Sequence, residues 1–265
     1  MARAAWQGYI TLGQLGIPVR LYSATQVVRP RFMHLHEKDS SPVERVLQCR
    51  EEHREIPISE VIRAVEHEPG RYIALTDREL EQTAARRMKA IDVKQFCDVS
   101  AIPAMYFEKP YYVSPSRGGE RAYALTREVF ARTGKIAVTQ FAIYNQEHIA
   151  ALMVEGDLLV LNQLRFAAEI VPRDQVMTPP LPKPSPSEVD ALTNVVERFS
   201  GPFYAHDYHD EYAEHLSELI ERKAKGLPAS RAERPAPQAT PEEQIESTLR
   251  DTLGAQQIAA AAESD

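Results

Sequence analysis

Apolar and polar positions change period between Met105 and Leu164 in a way that fixes local structure, and the rest of the chain is organised around this stretch. Met105 to Val113 alternates and ends in the breaker cluster Ser114-Pro115-Ser116-Arg117-Gly118-Gly119, which cannot continue a strand ladder. From Arg121 the spacing becomes helical, with Ala122, Leu125, Val129 and Phe130 on one face and Gly134 placed for a left-handed C-cap. Three β-rich runs follow, Ile136 to Tyr144, His148 to Val154 and Leu158 to Leu164, separated by Asn145-Gln146-Glu147 and Glu155-Gly156-Asp157. Runs joined by such short turns predict an antiparallel meander.

Before this stretch the pattern is weaker. Trp6 to Leu12 and Ile17 to Tyr22 predict two short strands, the second confined to an edge or a strand start by Pro18. From Arg29 to Glu55 short apolar pieces such as Phe32-Met33-His34-Leu35 lie among Arg45, Arg50 and Arg54, a segment with little core of its own. Ser59 is placed to cap a brief helix through Val65, and Pro69-Gly70 turns the chain into a strand over Arg71 to Leu75. Thr76 and Glu79 have capping-box spacing, which predicts a helix to about Met88, and Ile91 to Phe96 returns to extended structure. No internal repeat is visible.

After Arg173 the composition changes. Met177 to Ser187 holds prolines at 179, 180, 182, 184 and 186, a stiff linker that predicts a boundary. Ser187 is placed to cap a helix bearing Val189, Leu192, Val195, Val196 and Phe199. A second helix, about Tyr208 to Lys225, carries Tyr208, Tyr212, Leu216, Leu219 and Ile220 at helical spacing and is stopped by Gly226. Amphipathic helices of this size need a partner for their stripes, on the core, on a second copy or on another protein. From Leu227 the chain is Ala-, Pro- and Glu-rich, which predicts disorder with at most a weak helix over Glu242 to Leu253.

Composition narrows the function classes. The 265 residues, 43% hydrophobic, suit one domain with an appendage, and no stretch approaches the roughly 18 apolar residues of a membrane span. Met1 to Trp6 has no signal core, so export is not expected, and Cys49 with Cys97 offers at most one bridge, which suits a reducing cytosol. The net charge of -7 is unevenly spread: residues 1–177 carry 23 Lys and Arg against 22 Asp and Glu, a balance of +1, whereas 178–265 carry 8 against 16, a balance of -8. A near-neutral domain with Arg far exceeding Lys still accommodates a basic groove.

The chain lacks a phosphate loop, a Gly-x-Ser-x-Gly elbow and a His-Glu-x-x-His pair, so ATP use and hydrolysis have no visible seat, and no cofactor or metal is expected. His34, His36, Cys49 and His53 are of zinc-ligand type, but their spacing matches no common pairing; two His on a strand face beside a small core Cys is the plainer reading. Cys97, with only Lys94 near in sequence, reads as a small core residue. The cations matter more. Surface Arg is usually a solvated face, yet guanidinium groups gathered on one concave wall would bind phosphate oxygens two bonds at a time and follow DNA without reading its sequence. Candidates are Arg20, Arg31, Arg45, Arg50, Arg54, Arg71, Lys89, Arg117, Arg121 and Lys135, with Arg63, Arg86 and Arg87 nearby. Aromatic interleaving is weak, which favours a duplex over a single strand.

These residues resemble a known family. Trp6-Gln7-Gly8 with Leu12-Gly13 and Ile17 to Thr25, then Phe32-x-x-Leu35-His36, Pro69 to Ile73, Leu75-Thr76-Asp77, Tyr106 to Tyr112, Ala122 to Leu125, Glu147 to Leu152, Tyr208 to Tyr212 and Leu219-Ile220-Glu221-x-Lys223 are similar, in order, to bacterial Ku proteins. The resemblance spans about Ala5 to Gly226. It leaves out the tail, which is Lys-rich in many relatives and acidic here, so it lends no support to DNA binding by the tail.

The resemblance implies a mainly β fold with α, an antiparallel Ku-type barrel from which an inserted arch closes a ring in the dimer, followed by a small C-terminal helical region. The expected organisation is a core over 1–177 with the arch at about 29–75, a Pro-rich linker over 178–186, helices over 187–227 and a disordered tail over 228–265. The family also implies a cytoplasmic, nucleoid-associated homodimer without catalysis of its own. It would bind double-stranded DNA ends and recruit an ATP-dependent DNA ligase through Tyr208, Tyr212, Leu216, Leu219, Ile220 and Lys223. Two other readings compete: a lyase using Lys89, Lys94, Lys109 or Lys135 as a Schiff base, and a protein-only adaptor favoured by the acidic balance.

Overall fold

The computed structural model describes residues 3–83, 89–144, 146–228 and 239–252. They fall into two units, residues 1–176 and 177–265.

In the first unit, strands β1 (Trp6–Leu12), β2 (Leu15–Ser23), β5 (Ala90–Asp98), β6 (Phe107–Pro115), β7 (Lys135–Ile143), β8 (Gln146–Glu155) and β9 (Leu158–Leu164) close a barrel in the order β1-β2-β6-β9-β8-β7-β5. Closure comes from the β1–β5 pair, the parallel one in an otherwise antiparallel barrel. Alternation supplies the core: Ile10, Ile17, Val19, Leu21, Tyr111, Val113, Ala137, Phe141, Ala150, Leu152, Leu159 and Leu161 all point inward. The opposite faces of β7, β8 and β9 present Ile136, Ala151 and Leu164 to a second, outer cluster that also takes Ile102, Tyr106 and the half-buried Cys97.

The three runs of the meander form, but its first turn is shorter than the sequence predicts: Gln146 and Glu147 already belong to β8, paired with Ile143 and Ala142, and Asn145 lies outside the described residues. At the entry to β6, Ala104–Tyr106 is a 3-10 turn, so the strand begins at Phe107 and not at Met105. Helix α2 (Glu120–Thr133), stopped by left-handed Gly134, buries Tyr123 and Phe130, with Ala122 partly buried. The apolar face expected of it is half wrong: Leu125 is 62% exposed and Val129 is exposed too. An aromatic phenol with a hydrogen-bonded tip fills the barrel better than the aliphatic stripe, because its hydroxyl also finds backbone partners there.

Between β2 and β5 the chain leaves the barrel. This excursion holds a separate two-stranded sheet, β3 (Arg63–Glu68) with β4 (Arg71–Leu75), and helix α1 (Asp77–Thr83), which starts at the Thr76–Glu79 capping box. The helix expected over Ser59 to Val65 is absent; Ile58–Glu60 makes one 3-10 turn and the β-branched Val65 pairs with Ile73 in the hairpin. Residues 84–88, the end of the helix expected to reach Met88, lie outside the described residues with Arg86 and Arg87.

In the second unit, helix α3 (Pro186–Phe199) is capped by Ser185 and not by Ser187: the Ser185 hydroxyl accepts the Glu188 N–H and the Glu188 carboxylate returns to the Ser185 N–H, with Pro186 at the first helical position. Helix α4 (Glu211–Ala224) starts after the cap Asp210, so Tyr208 lies before the helix and does not belong to its face. Of the tail, 229–238 and 253–265 lie outside the described residues, while 245–252 are helical.

Candidate nucleic-acid interface

The excursion between β2 and β5 has almost no interior. Every residue from 25 to 48 is exposed, and in the following stretch only Cys49, Ile56 and Leu75 are half-buried before α1. Yet the segment is not polar: Val27 (90% exposed), Val28, Phe32, Met33 (75%), Leu35, Ile58 (76%), Ile62, Val65, Tyr72 and Ile73 all face outward. Exposed apolar side chains in this number are what a second protein surface would cover.

Two turns of one design shape its first half. His36 N–H donates to the Ser41 carbonyl and Ser40 N–H to that of His36, both at 2.8 Å; Cys49 N–H donates to the Arg54 carbonyl and His53 N–H to that of Cys49, both at 3.0 Å. The fifth residue of each turn has positive φ, 58° at Ser40 and 49° at His53. This local repeat is invisible in the sequence because backbone bonds, not side chains, carry it. His34 accepts from Arg45 at 3.3 Å and His36 pairs with Asp39 at 3.0 Å. Asp39 is held below the usual carboxylate range, mainly by the Ser41 N–H and hydroxyl. Among the described residues no group of three or more His, Cys, Asp or Glu is arranged to hold a metal ion.

The ten candidate cations separate into two classes. Arg54 donates to Glu52 at 2.6 Å and Glu60 at 3.0 Å, and these carboxylates, Glu60 foremost, raise its pKa further. Lys135 pairs with Asp98 at 2.7 Å, Arg71 lies 3.6 Å from Glu68, and Arg45 is engaged by His34. Arg20, Arg31, Arg50, Lys89, Arg117 and Arg121 are exposed with no acidic partner among the described residues. Arg20 points out of the barrel because Val19 and Leu21 point in, and it stands opposite Ser114, three residues before Arg117 in the loop that enters α2. Gly119 makes this crowding possible, since a Cβ there would meet the Pro18 carbonyl at 2.7 Å. Arg20, Arg117 and Arg121 are thus carried by one strand pair and the helix start beside it, whereas Arg31, Arg45, Arg50, Arg54 and Arg71 lie along the excursion. Sequence spacing missed the ion pairs, which need a chain reversal, as at Arg54, or the cross-strand register that sets Asp98 opposite Lys135, and it did not place Lys109 among the phosphate candidates, although its ammonium lies 5.3 Å over the Tyr111 ring.

In the second unit Phe203 stacks on Tyr208 at 5.5 Å, and Tyr212 and Ile220 are exposed on α4 with Leu216 and Leu219 half-buried beside them. Lys223 is exposed in the last turn.

A family model described as the Ku70/Ku80 beta-barrel domain matches residues 11–191. The non-homologous end joining protein Ku of Solibacter usitatus (strain Ellin6076) is 32% identical over 226 residues, which cover 85% of this chain and 84% of that protein. That of Anaeromyxobacter sp. (strain K) is 32% identical over 261 residues, 98% of this chain and 86% of its own. The protein of the same name from Pseudomonas aeruginosa (strain PAO1) is 31% identical over 229 residues, covering 84% and 78%.

Proposed function

The chain belongs to the Ku family, and from that premise we propose that two copies close a ring around double-stranded DNA at its ends, as a non-catalytic scaffold for non-homologous end joining. The observation that carries this reading is the excursion between β2 and β5: an arm without a core, exposing Phe32, Met33, Ile58, Ile62 and Tyr72, needs a second protein surface to cover it. A second copy covers it by two-fold symmetry, since one self-complementary patch then serves both subunits. The barrel cations and the arm cations would share the inner wall. Contacts to phosphate and sugar alone make affinity independent of sequence, and a closed ring then loads only where the duplex has a terminus.

Arg20, Arg31, Arg50, Lys89, Arg117 and Arg121 are the first candidates for phosphate, because none is already neutralised by a carboxylate among the described residues. Arg45, Arg54, Arg71 and Lys135 would need to exchange a present partner for phosphate. The segment beyond the Pro-rich linker, with Tyr208 just before α4 and Tyr212, Leu216, Leu219, Ile220 and Lys223 on it, is proposed to receive an ATP-dependent DNA ligase; exposed aromatic side chains such as Tyr208 and Tyr212 suit such a contact. No helix among the described residues is long and apolar enough to cross a membrane. A cytoplasmic, nucleoid-associated location follows from the proposed work on DNA.

The lyase reading is weaker. Lys89, Lys94, Lys109 and Lys135 are all exposed, two of them already paired with Asp92 and Asp98, so nothing desolvates an amine toward nucleophilicity. The discriminating experiment is retention on a linear blunt duplex against a relaxed circle of the same sequence. The ring predicts tight, salt-sensitive binding to the linear form and little to the circle. Equal retention on both would remove it.

A further inference from the structure

The second unit contains a contact that the end-binding reading does not use. The apolar face of α3 borders a groove of Val189, Leu192, Thr193 and Val196, walled on one side by the linker at Pro182 and Pro184. Ile245 and Leu249, from the helical residues 245–252 of the acidic tail, lie against it. They are one helical turn apart, so both project from one face, and both are half-buried while their neighbours Ser247 and Thr248 are exposed. The fit is shallow: Val189, Leu192 and Val196 remain 47%, 50% and 57% exposed with the tail in place.

We propose that the α3 groove is a binding site for a short amphipathic helix and that residues 245–252 are its occupant in cis, a covering that an amphipathic helix of another protein must displace. Three observations point the same way. Isolated helices are marginal in water, so the contact of Ile245 and Leu249 with α3 favours the helical state of 245–252. The groove needs a cover, since α3 exposes an apolar stripe on a 14-residue helix without a buried residue of its own. And the seat is incomplete, which leaves the tail exchangeable and not fused to the unit. Tethering sets the strength of the competition. Attachment within one chain holds the tail at an effective concentration on the order of 1 mM, so a site with an affinity of about 100 μM for the free helix appears about tenfold weaker to any competitor. The covering therefore acts as a threshold on protein partners of the second unit. DNA takes no part in it, so the cis contact and the end-binding reading stand or fall separately.

The test uses the full chain and a fluorescein-labelled synthetic peptide of residues 240–254, with no DNA present. Anisotropy should show weak binding to the wild type, about tenfold tighter binding to the Ile245→Asp/Leu249→Asp chain whose own tail is released, and loss when Leu192→Asp is added to that chain. Equal binding to wild type and released chain, or binding to neither, would overturn the proposal. A second measurement does not depend on the peptide. Hydrogen exchange across 245–252 should speed severalfold in the Val189→Asp chain and be independent of protein concentration in the wild type. Unchanged exchange would show that the tail does not lean on α3, and concentration dependence would place it on a second copy; either result rejects the cis contact.

Discussion

The hydroxyl of Tyr123 accepts the backbone N–H of Leu159 at 2.8 Å. It also donates to the Val113 carbonyl at 2.7 Å, and Val113 and Leu159 form the last register pair of β6 and β9. A phenol from α2 thus bridges the end of a strand ladder inside the barrel, with burial pushing its pKa up and the Leu159 N–H acting against that shift. Removing the oxygen leaves a buried N–H and C=O unpaired, so Tyr123→Phe should cost about 1–3 kcal/mol. Thermal unfolding should show a fall of several degrees, while the Leu125→Ala variant, whose side chain is mostly exposed, should fall by much less. Equal shifts for the two variants would mean that α2 does not pack through Tyr123.

Gly8 marks the parallel closure of the barrel. A Cβ built there would lie 2.2 Å from the Lys89 carbonyl oxygen and 2.4 Å from the Trp6 ring, while the neighbouring Tyr9 N–H donates to the same carbonyl at 2.8 Å. Neither backbone can retreat without breaking the pairing of Tyr9 with Ala90. Gly8→Ala should therefore open the β1–β5 seam and lower stability by several times the cost of Gly16→Ala, where the added carbon meets nothing nearer than 3.9 Å. Urea unfolding midpoints of the two variants measure this directly; similar midpoints would contradict the tight seam.

The strands of the meander were legible because alternation is a local signal, and Trp6–Leu12 and Arg71–Leu75 begin and end where the pattern places them, whereas the breakers were read too early: Ser114 and Pro115 still pair with β2, and Gln146 and Glu147 pair with β7. What was not legible depended on distant partners. Val65 belongs to a strand because Ile73 lies opposite, and Leu125 is exposed because Tyr123 has the better pair of backbone partners. Ser187 and Ser185 both fit a cap by composition; Glu188, three residues after Ser185, closes the box that decides between them. Among the site candidates, Arg54 and Arg50 look alike in sequence, and only the fold brings Glu60 to Arg54.

The same capping box predicts a pH dependence confined to the second unit. Hydrogen bonds from the Ser185 hydroxyl and N–H hold the Glu188 carboxyl below its ordinary value of 4.5. A carboxylate whose folded pKa is depressed adds stability that is present above the unfolded pKa and lost as pH falls through the folded one. Protection of the α3 amides in hydrogen exchange should accordingly decline on acidification below about pH 4.5, and Ser185→Ala should lower protection at neutral pH and flatten that decline. A decline of the same size in the Ser185→Ala chain would assign it to other groups.

The two classes of cation make the sharpest functional prediction. Arg54 is already held by Glu52 and Glu60, so a phosphate would have to displace two carboxylates to gain it, while Arg20, Arg117 and Arg121 have no acidic partner among the described residues. Counterion release ties salt dependence to phosphate neutralisation, with a log–log slope of about 0.9 for each phosphate that a cation covers. The Arg20→Ala/Arg117→Ala/Arg121→Ala chain should bind a linear duplex more weakly at every sequence, with the slope reduced by up to about 5, because the proposed ring carries each substitution twice. Arg54→Ala should leave the slope nearly unchanged. Titrations between low and moderate salt read both quantities from one experiment, with the circular dichroism of each variant checked against the wild type. If Arg54→Ala flattens the slope while the triple variant does not, the arm and not the barrel flank holds the phosphates, and the duplex lies against a different wall.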